Sequence, residues 1–355
     1  MKWRLVQIAA LVLVAALVLT MGVGAIVSMA AGSERPRWDT EVFSLVPEPG
    51  FPASAYVHPD NGRVYAGTYA NPLGDSQRSR VFEWSSGGTL LRSWTVPGQD
   101  LSQSHGVQVA TSDAQGRLVL LDRSPARAML LDPATGRFSR YAGFGDGAVP
   151  NFAAWAPGGS LYVTDYAQAT LWRVPPGGGH PQPWLRDPRL DGGPFGTTGL
   201  RLAADRRTLL VGQQSSAGLG EPNPTTGKLY AVPIRGDGGP GAMRRLWESR
   251  PADSPDGFAI ARSGRVYLAN VSPSSNQVVV LGPDGDEIER FPQTLLTGEN
   301  GSPVPFDSPS GVAFLGTRII VANQAYVTGD RDHQALLDVE TGEPGLPVFI
   351  PAEVG

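Results

Sequence analysis

The chain has 355 residues, of which 41% are hydrophobic and 17% are charged, and 29 basic against 33 acidic residues give a net charge of −4. A hydrophobic content of this size supports a large core and excludes a disordered or collagen-like chain, and the weak charge offers no field to attract nucleic acid. With no cysteine, the chain has no disulfide, thiolate metal site or catalytic thiol, so any chemistry uses oxygen ligands, hydroxyl groups or histidines.

Residues 1–31 are predicted to be a targeting segment. Lys2 and Arg4 precede an apolar run over residues 5–31, and residues 28–31 (SMAA) have the small side chains of a signal-peptidase site. We therefore expect an extracytoplasmic protein, periplasmic or secreted. The run also reaches the roughly 20 residues that span a bilayer, so a retained anchor is the alternative, with membrane contact through this segment alone.

Residues 32–45 are expected to form a linker and a possible closing strand, and residues 46–355 one repetitive domain. Each repeat has an apolar strand, a glycine-containing turn and a second apolar strand ending in a polar or small residue, which is typical of a β-hairpin. The repeats start 52, 46, 47, 58 and 54 residues apart, the period of propeller blades. The six copies are 53–68 (ASAYVHPDNGRVYAGT), 105–122 (HGVQVATSDAQGRLVLLD), 151–165 (NFAAWAPGGSLYVTD), 198–213 (TGLRLAADRRTLLVGQ), 256–270 (DGFAIARSGRVYLAN) and 310–323 (SGVAFLGTRIIVAN).

No helical periodicity of useful length follows residue 32, so the predicted fold is all-β, a six-bladed β-propeller of four-stranded blades, preceded by the N-terminal apolar helix. A strand at 41–46 could pair beside 335–339 and close the ring. A seven-bladed or open array is the alternative, because loops in the fourth and sixth blades could hide a degenerate copy.

The residue that opens each repeat is expected at one rim of the axial channel, where six such residues converge. A single polar residue at a strand start usually ties down a loop. Five polar residues of six favour a ligand site instead. By the hairpin count, Asn270 returns near Asp256. The six rim residues are Ala53, His105, Asn151, Thr198, Asp256 and Ser310.

Two repeats resemble the metal-site blades of the regucalcin/gluconolactonase family of six-bladed propellers, which is related to the paraoxonases and strictosidine-synthase-like proteins. The motifs are residues 254–258 (SPDGF) with 261–270 (ARSGRVYLAN), and residues 150–153 (PNFA) with 159–165 (GSLYVTD). Both occur in register on the expected blades, and the likeness covers nearly all of the chain after residue 45.

The resemblance implies an axial divalent cation held by a glutamate of the first blade, an asparagine of the third and an aspartate of the fifth. Asn151 and Asp256 match the last two, whereas Ala53 stands where the glutamate is expected. In the second blade, Ser102 and Ser104 stand where the sugar-lactone enzymes present arginine and asparagine. A calcium-like ion is implied first, with manganese, magnesium or zinc as alternatives.

If a cation binds to Asn151 and Asp256, it would polarise a lactone or ester carbonyl and activate water. His105, on the same rim, is a candidate general base together with Asp256, although a lone histidine in such a loop is more often structural. Thr198, Ser310 and Asn270 are candidate rim residues for a substrate.

The sequence leaves two classes of function open. The first is an exported, metal-dependent hydrolase of small lactones or esters. The second is a propeller without catalytic activity that binds a small ligand or protein partner at the same mouth, which Ala53 and the departures in the second blade favour. A condensation of the strictosidine-synthase type is a third, smaller alternative. The serine-hydrolase elbow and the zinc-protease motif are both absent.

Overall fold

The structure is a computed structural model that describes residues 35–71, 74, 76–193, 195–216 and 226–352. The chain divides into two compact units, residues 1–36 and 37–355, and all described strands belong to the second. The targeting segment expected at residues 1–31 lies outside the described residues. In the part of the chain that is described, no helix combines the length and the apolar character needed to cross a membrane.

Twenty-four described strands form six antiparallel sheets of four strands each. The first blade contains β2 (Pro52–Val57), β3 (Val64–Thr68), β4 (Arg80–Trp84) and β5 (Leu90–Thr95). The second contains β6 (Val107–Ser112), β7 (Leu118–Arg123), β8 (Ala126–Asp132) and β9 (Arg137–Gly143). The third contains β10 (Pro150–Trp155), β11 (Leu161–Asp165), β12 (Thr170–Val174) and β13 (Gln182–Arg186). The next two contain β14 (Thr197–Leu202), β15 (Thr208–Gln213), β16 (Lys228–Pro233) and β17 (Arg244–Glu248); and β18 (Pro255–Ile260), β19 (Val266–Asn270), β20 (Gln277–Leu281) and β21 (Glu287–Phe291). Short 3-10 turns occur at Pro188–Leu190 and Arg331–His333.

The sixth blade joins the two ends of the ring. It contains β22 (Pro309–Leu315), β23 (Arg318–Asn323), β24 (Ala335–Glu340) and, on its outer edge, β1 (Thr40–Leu45). Thr40 lies opposite Val339 and Leu45 opposite Ala335. The six-bladed prediction and the closing strand are confirmed, and the seven-bladed or open alternative is wrong for the described residues. Closure in this way covers the outer edge of β24, which would otherwise be open to pairing with another chain.

Apolar side chains fill the spaces between neighbouring blades. Alternate residues of one inner strand face opposite neighbours, because side chains of a strand alternate between its two faces. In β10, Ala153 and Trp155 pack with the second blade, whereas Phe152 and Ala154 pack with the fourth. Each inner strand thus contributes to two of the cores and fixes its own position at the axis.

The inner strands approach one another so closely that some positions admit only glycine. A Cβ atom on Gly257 would lie 2.7 Å from the Phe152 ring and 2.8 Å from the Gly311 Cα atom. One on Gly106 would lie 2.0 Å from the Tyr69 ring. The glycines that follow rim residues in the sequence are explained by this crowding.

Residues 344–349 form a C-terminal strap across the face where the inner strands end. The Leu346 N–H donates to the Ile260 carbonyl at 2.8 Å, and the Arg262 N–H donates to the Pro344 carbonyl at 2.9 Å. Further along, Phe349 packs against the cores beside the third blade, and the Arg206 guanidinium lies 5.2 Å from its ring centroid. The strap therefore passes from the fifth blade toward the fourth over one end of the axis.

Candidate functional site

The rim residues occupy irregular positions at the start of the inner strands. In five of the six blades the ladder to the second strand shifts register directly after its first pair. In the fifth blade Pro255 lies opposite Asn270 and Phe258 opposite Leu268, so Asp256 falls between the two pairs. A bulge of this kind leaves residues out of the ladder and redirects their side chains. Asn151 and Asp256 occupy equivalent positions of the third and fifth blades.

The Asp256 carboxylate has neither a hydrogen bond nor an ion pair with any described residue. Asp256 is half-buried and lies in the bulge at the start of β18. This burial raises the pKa of Asp256 to about 8. A carboxylate in such surroundings is stabilised either by a proton or by a cation.

Asn151 belongs to a hydrogen-bonded network that links the second and third blades. The Gln108 Nε2 atom donates to the Asn151 Oδ1 atom at 3.1 Å and to the Tyr69 hydroxyl at 2.7 Å. The Gln108 Oε1 atom is buried and has no hydrogen-bond partner among the described residues. The network fixes the orientation of the Asn151 amide beside the axis.

Asn151 and Asp256 lie on the third and fifth blades, with the fourth blade between them. The residues that follow them in the sequence are nevertheless close to each other. Phe152 and Gly257, the residues that follow them, meet so closely that a Cβ atom on Gly257 would overlap the Phe152 ring. The two predicted metal ligands therefore start from strands that touch across the axis.

A second set of six residues surrounds the rim, and we call it the return ring. Each member directly follows one of the six sequence repeats and donates its backbone N–H to the carbonyl of the residue that precedes the inner strand of the same blade. This bond continues the hairpin beyond the bulge and places all six residues at the same mouth. The return ring consists of Tyr69, Arg123, Tyr166, Gln214, Val271 and Gln324.

The return ring brings Tyr69 and Tyr166 within electrostatic range of Asp256, and it also contains Arg123. The Arg123 guanidinium lies 5.5 Å from the Tyr69 ring centroid. Burial raises the pKa of Tyr69 to about 12, and the charges of Arg123 and Asp256 also act on it. The Tyr166 hydroxyl donates to the Gln214 Oε1 atom, and burial raises the pKa of Tyr166 well above its usual range. Both tyrosines are therefore neutral hydrogen-bond donors at neutral pH.

Tyr69, Gln108 and Arg123 were not among the residues singled out from the sequence. The signal for the return ring was present, because every member is the residue that directly follows one of the six repeats. Gln108 lies between two valines of β6, and its contact across the blade boundary has no counterpart in the pattern of the repeats.

The structure places His105 in a loop contact. Its Nε2 atom lies 2.7 Å from the Gln77 carbonyl oxygen, and its Nδ1 atom lies 3.2 Å from the Gln103 carbonyl oxygen. The ring is buried and these contacts hold it against the segment that precedes β4. The role of His105 as a general base stays a prediction.

The three candidate rim residues Thr198, Ser310 and Asn270 are buried between strands. The Thr198 hydroxyl donates to the Asp256 backbone carbonyl at 3.3 Å, and the Ser310 hydroxyl donates to the Ala53 carbonyl at 2.9 Å. The Asn270 amide donates to the Ser275 hydroxyl at 3.1 Å, and Asn270 pairs with Pro255 rather than with Asp256. These contacts join blades and loops around the site, and substrate contact by the three side chains stays a prediction.

The donor set for a cation is small. No group of three or more acidic, histidine or cysteine side chains that could hold a metal ion occurs in the described part of the chain. The Asp256 carboxylate and the Asn151 Oδ1 atom are two oxygen donors, whereas calcium takes six to eight. Because Asp256 lacks any positive neighbour to balance it, the pair suits a hard cation that keeps most of its water.

Comparison with solved structures shows similarity to gluconolactonase and regucalcin propellers over most of the chain. A gluconolactonase from Xanthomonas campestris is 20% identical, with a TM-score of 0.56 over 84% of this chain and 86% of that one. Regucalcin from Agrobacterium tumefaciens, a calcium-binding protein, is 17% identical, with a TM-score of 0.58 over 88% and 98%.

A virginiamycin B lyase from Staphylococcus aureus has the same architecture. It is 14% identical, with a TM-score of 0.54 over 83% of this chain and 82% of that one. No family model matches the chain, and no curated protein matches it by sequence. The likeness establishes the fold, and since these neighbours include a lactonase and a lyase, function has to be argued from the site.

Proposed function

We propose that the chain is a hydrolase of small lactones or esters that acts at the mouth formed by the rim and the return ring. The observation that carries the proposal is the Asp256 carboxylate, which has no hydrogen bond or ion pair with a described residue and whose pKa is raised by burial to about 8. A carboxylate with a pKa near the working pH is suited to general acid–base catalysis. The likeness to a gluconolactonase supports the lactone as the substrate class.

In the proposed reaction, ionised Asp256 accepts a proton from water as the water oxygen bonds to the acyl carbon. The carbon–oxygen bond of the ester or lactone then breaks, and protonated Asp256 returns the proton to the leaving alkoxide. Tyr69 accepts a hydrogen bond from Gln108, so its own O–H remains available to donate to the carbonyl oxygen, where negative charge develops. Water is the only co-reactant, and the atoms balance without an oxidant or reductant.

Arg123 is proposed to orient the substrate. It belongs to the return ring and also lines a cavity of about 670 Å³ between the second and third blades. A guanidinium at this position attracts the electron-rich oxygens of hydroxylated esters and lactones. The cavity is proposed to accommodate the part of the substrate beyond the carbonyl group.

Asp256 and Asn151 would hold the divalent cation that the resemblance implies, with calcium as the first choice. When bound, such an ion supplies Lewis-acid polarisation of a carbonyl and favours ionised carboxylates. The protein residues then orient the substrate and move the proton as described above.

The proposal is tested with a panel of lactones and aryl esters and two variants, Asp256→Asn and His105→Ala. We expect Asp256→Asn to reduce kcat/KM by about 10²-fold or more, which is the size of a general-base contribution. Asp284→Asn is the matched control, because Asp284 is an exposed turn residue. Unchanged rates in both test variants would contradict the hydrolase proposal, and loss in His105→Ala alone would move the base to His105.

A second candidate function is a ligand-binding propeller without catalysis. It is favoured by Ala53, which provides no carboxylate at the rim, and by the small donor set for a metal in the described residues. A thermal-shift titration with calcium, magnesium, manganese and zinc separates the two, since an ion that binds only the folded state raises Tm with concentration. Stabilisation by no cation, together with no turnover, favours the binding module.

Export is also proposed, and it rests on residues 1–31 of the sequence alone. Fractionation of cells that produce the full chain, followed by determination of its N-terminal residue, distinguishes a cleaved signal peptide from a retained anchor.

A further inference from the structure

The end of the axis away from Asp256 contains a separate chamber. It has a volume of about 340 Å³ and lies where the inner strands end, beneath the C-terminal strap. This volume is at the lower end of the range for small-molecule sites. Its walls include the small residues Ala153, Ala154, Ala259 and Ala313, which leave space next to the axis.

One guanidinium, that of Arg201, lies among these apolar walls. Arg201 is on the inner strand β14, and its only hydrogen bond with a described residue runs from Nη1 to the Leu200 carbonyl at 2.9 Å. The guanidinium also lies 5.9 Å from the ring centroid of Phe152. Among the described residues, no carboxylate lines the chamber and none forms an ion pair with Arg201.

Arg201 is half-buried, and its surroundings differ from those of Arg290, a buried arginine of the fifth blade. Arg290 forms ion pairs with Asp253 and Glu287. Burial without such a partner lowers the pKa of Arg201 to about 10, whereas the two acidic neighbours raise the pKa of Arg290. An unpaired charge in apolar surroundings destabilises the folded state unless a counter-charge reaches it.

We propose that the chamber binds a monocarboxylate with an apolar body, its carboxylate on Arg201 and its hydrocarbon part against the alanines. A guanidinium and a carboxylate form two parallel hydrogen bonds. The ammonium group of a lysine cannot form this paired arrangement. One guanidinium balances one negative charge. A phosphate or sulfate would bring additional charge that the apolar walls around Arg201 do not balance, since Arg262, also in the lining, is exposed on the rim.

The chamber and the proposed hydrolytic mouth lie at opposite ends of the inner strands. Asp256 is the second residue of β18 and Ile260, which lines the chamber, is its last. The carboxylate site therefore does not depend on the proposed hydrolase activity, and a variant at one end leaves the other in place.

The test uses the full chain and thermal-shift and calorimetric titrations with hexanoate, hexanamide and inorganic phosphate. We expect hexanoate to raise Tm with concentration, and isosteric hexanamide and phosphate to have no effect. Stabilisation by hexanamide equal to that by hexanoate, or by phosphate alone, overturns the proposal. This comparison is made in the unmodified protein and does not depend on any variant folding.

Variants then locate the site. We expect Arg201→Gln to raise the dissociation constant for hexanoate by at least about tenfold, and Arg201→Lys to raise it less, because the charge remains but the fork is lost. Arg137→Gln is the control, since Arg137 is an exposed arginine of β9 that does not line the chamber. Asp256→Asn should bind hexanoate as the unmodified protein does. Equal affinity in Arg201→Gln, or loss of binding in Asp256→Asn, contradicts a site in the chamber.

Discussion

Gln108 of the second blade donates a hydrogen bond to the Oδ1 atom of Asn151 of the third blade at 3.1 Å. The bond occupies one lone pair of the Asn151 oxygen and leaves the second able to accept from or bind to another group. A residue outside the predicted ligand set thus controls the orientation of a residue inside it. Such supporting contacts commonly decide how well a site binds.

Replacing Gln108 tests this dependence. We expect Gln108→Leu to weaken calcium binding by about 10-fold to 100-fold, because the Asn151 amide loses the partner that orients it. Isothermal titration calorimetry measures the dissociation constant, and Gln115→Leu is the control, since Gln115 is exposed on a turn of the same blade. An unchanged constant in Gln108→Leu would remove Asn151 from the ligand set.

Restoring the absent glutamate at position 53 should strengthen cation binding. Affinity for hard cations rises with the number of anionic ligands, so we expect Ala53→Glu to lower the calcium dissociation constant by at least about tenfold. The same variant should be less stable than the unmodified protein without calcium, because Ala53 is buried and the new carboxylate is then unpaired. Ala53→Gln provides the same size without the charge. Equal affinities in the two variants would show that position 53 does not face the ion.

Asp256→Asn should stabilise the protein in a pH-dependent manner. The folded-state pKa of Asp256 is raised to about 8 from its ordinary value near 3.8, so between these values the unfolded chain loses a proton that the folded chain keeps. The free energy of unfolding contributed by this residue therefore falls as pH rises from about 4 to about 8.

The Asp256→Asn variant has no carboxyl group at this position, so its free energy of unfolding does not undergo this pH-dependent decrease. We expect it to have a Tm about 2–4 °C or more above the unmodified protein at pH 8, and nearly the same Tm at pH 4. Differential scanning calorimetry without divalent cations at both pH values checks this. An equal difference at pH 4 and pH 8 would show that ionisation of Asp256 is not responsible.

The pH dependence of hydrolysis should report the same carboxylate. Without divalent cations, we expect kcat/KM to rise about tenfold per pH unit below the pKa near 8 and to level off above it, because the base must be ionised. With saturating calcium the inflection should move to lower pH, since a cation favours the ionised form. Rates of the Asp256→Asn variant are subtracted as the background of spontaneous hydrolysis. A profile that is flat between pH 5 and pH 9 would contradict a base role for Asp256.

The crowding at the axis predicts a large cost for one added methyl group. In Gly257→Ala the new Cβ atom would meet the Phe152 ring at 2.7 Å and the Ser310 carbonyl oxygen at 2.9 Å. We expect a loss of about 1–3 kcal/mol in the free energy of unfolding, measured with denaturant. Gly236→Ala is the control, because nothing lies within 4 Å of its added Cβ atom. Similar losses in both variants would show that the close contacts at Gly257 are not the cause, because the lower backbone entropy of the unfolded chain would by itself stabilise both variants.

The fold could be predicted from the sequence because its information is local and repeated. Each hairpin is encoded by alternating apolar residues and a turn, and the pairing of Thr40 with Val339 follows from the need to close the ring. The neighbours of Asp256 were predicted less well. Counting residues back from the turn assumes a regular ladder, and the bulge moves the partner of Asn270 to Pro255.

Other parts of the site depend on contacts that no single repeat encodes. Gln108 acts across a blade boundary, and which blades touch is a property of the assembled ring. The position of Arg201 beside an apolar chamber depends on residues 344–349, which follow the last repeat and have no counterpart in the others. Sequence patterns identify members of a repeat, whereas contacts between different repeats need the three-dimensional arrangement.

The closing strand has a consequence for synthesis. Because β1 pairs with β24, about 300 residues later, the sixth sheet can be completed only after residues 40–340 have emerged from the ribosome. Until then residues 40–45 have no partner strand. The blades already synthesised expose strand edges with which these residues could form non-native pairs. Contacts at such long sequence separation also form slowly. Maturation of this protein therefore depends on keeping its first strand free until its last one has emerged.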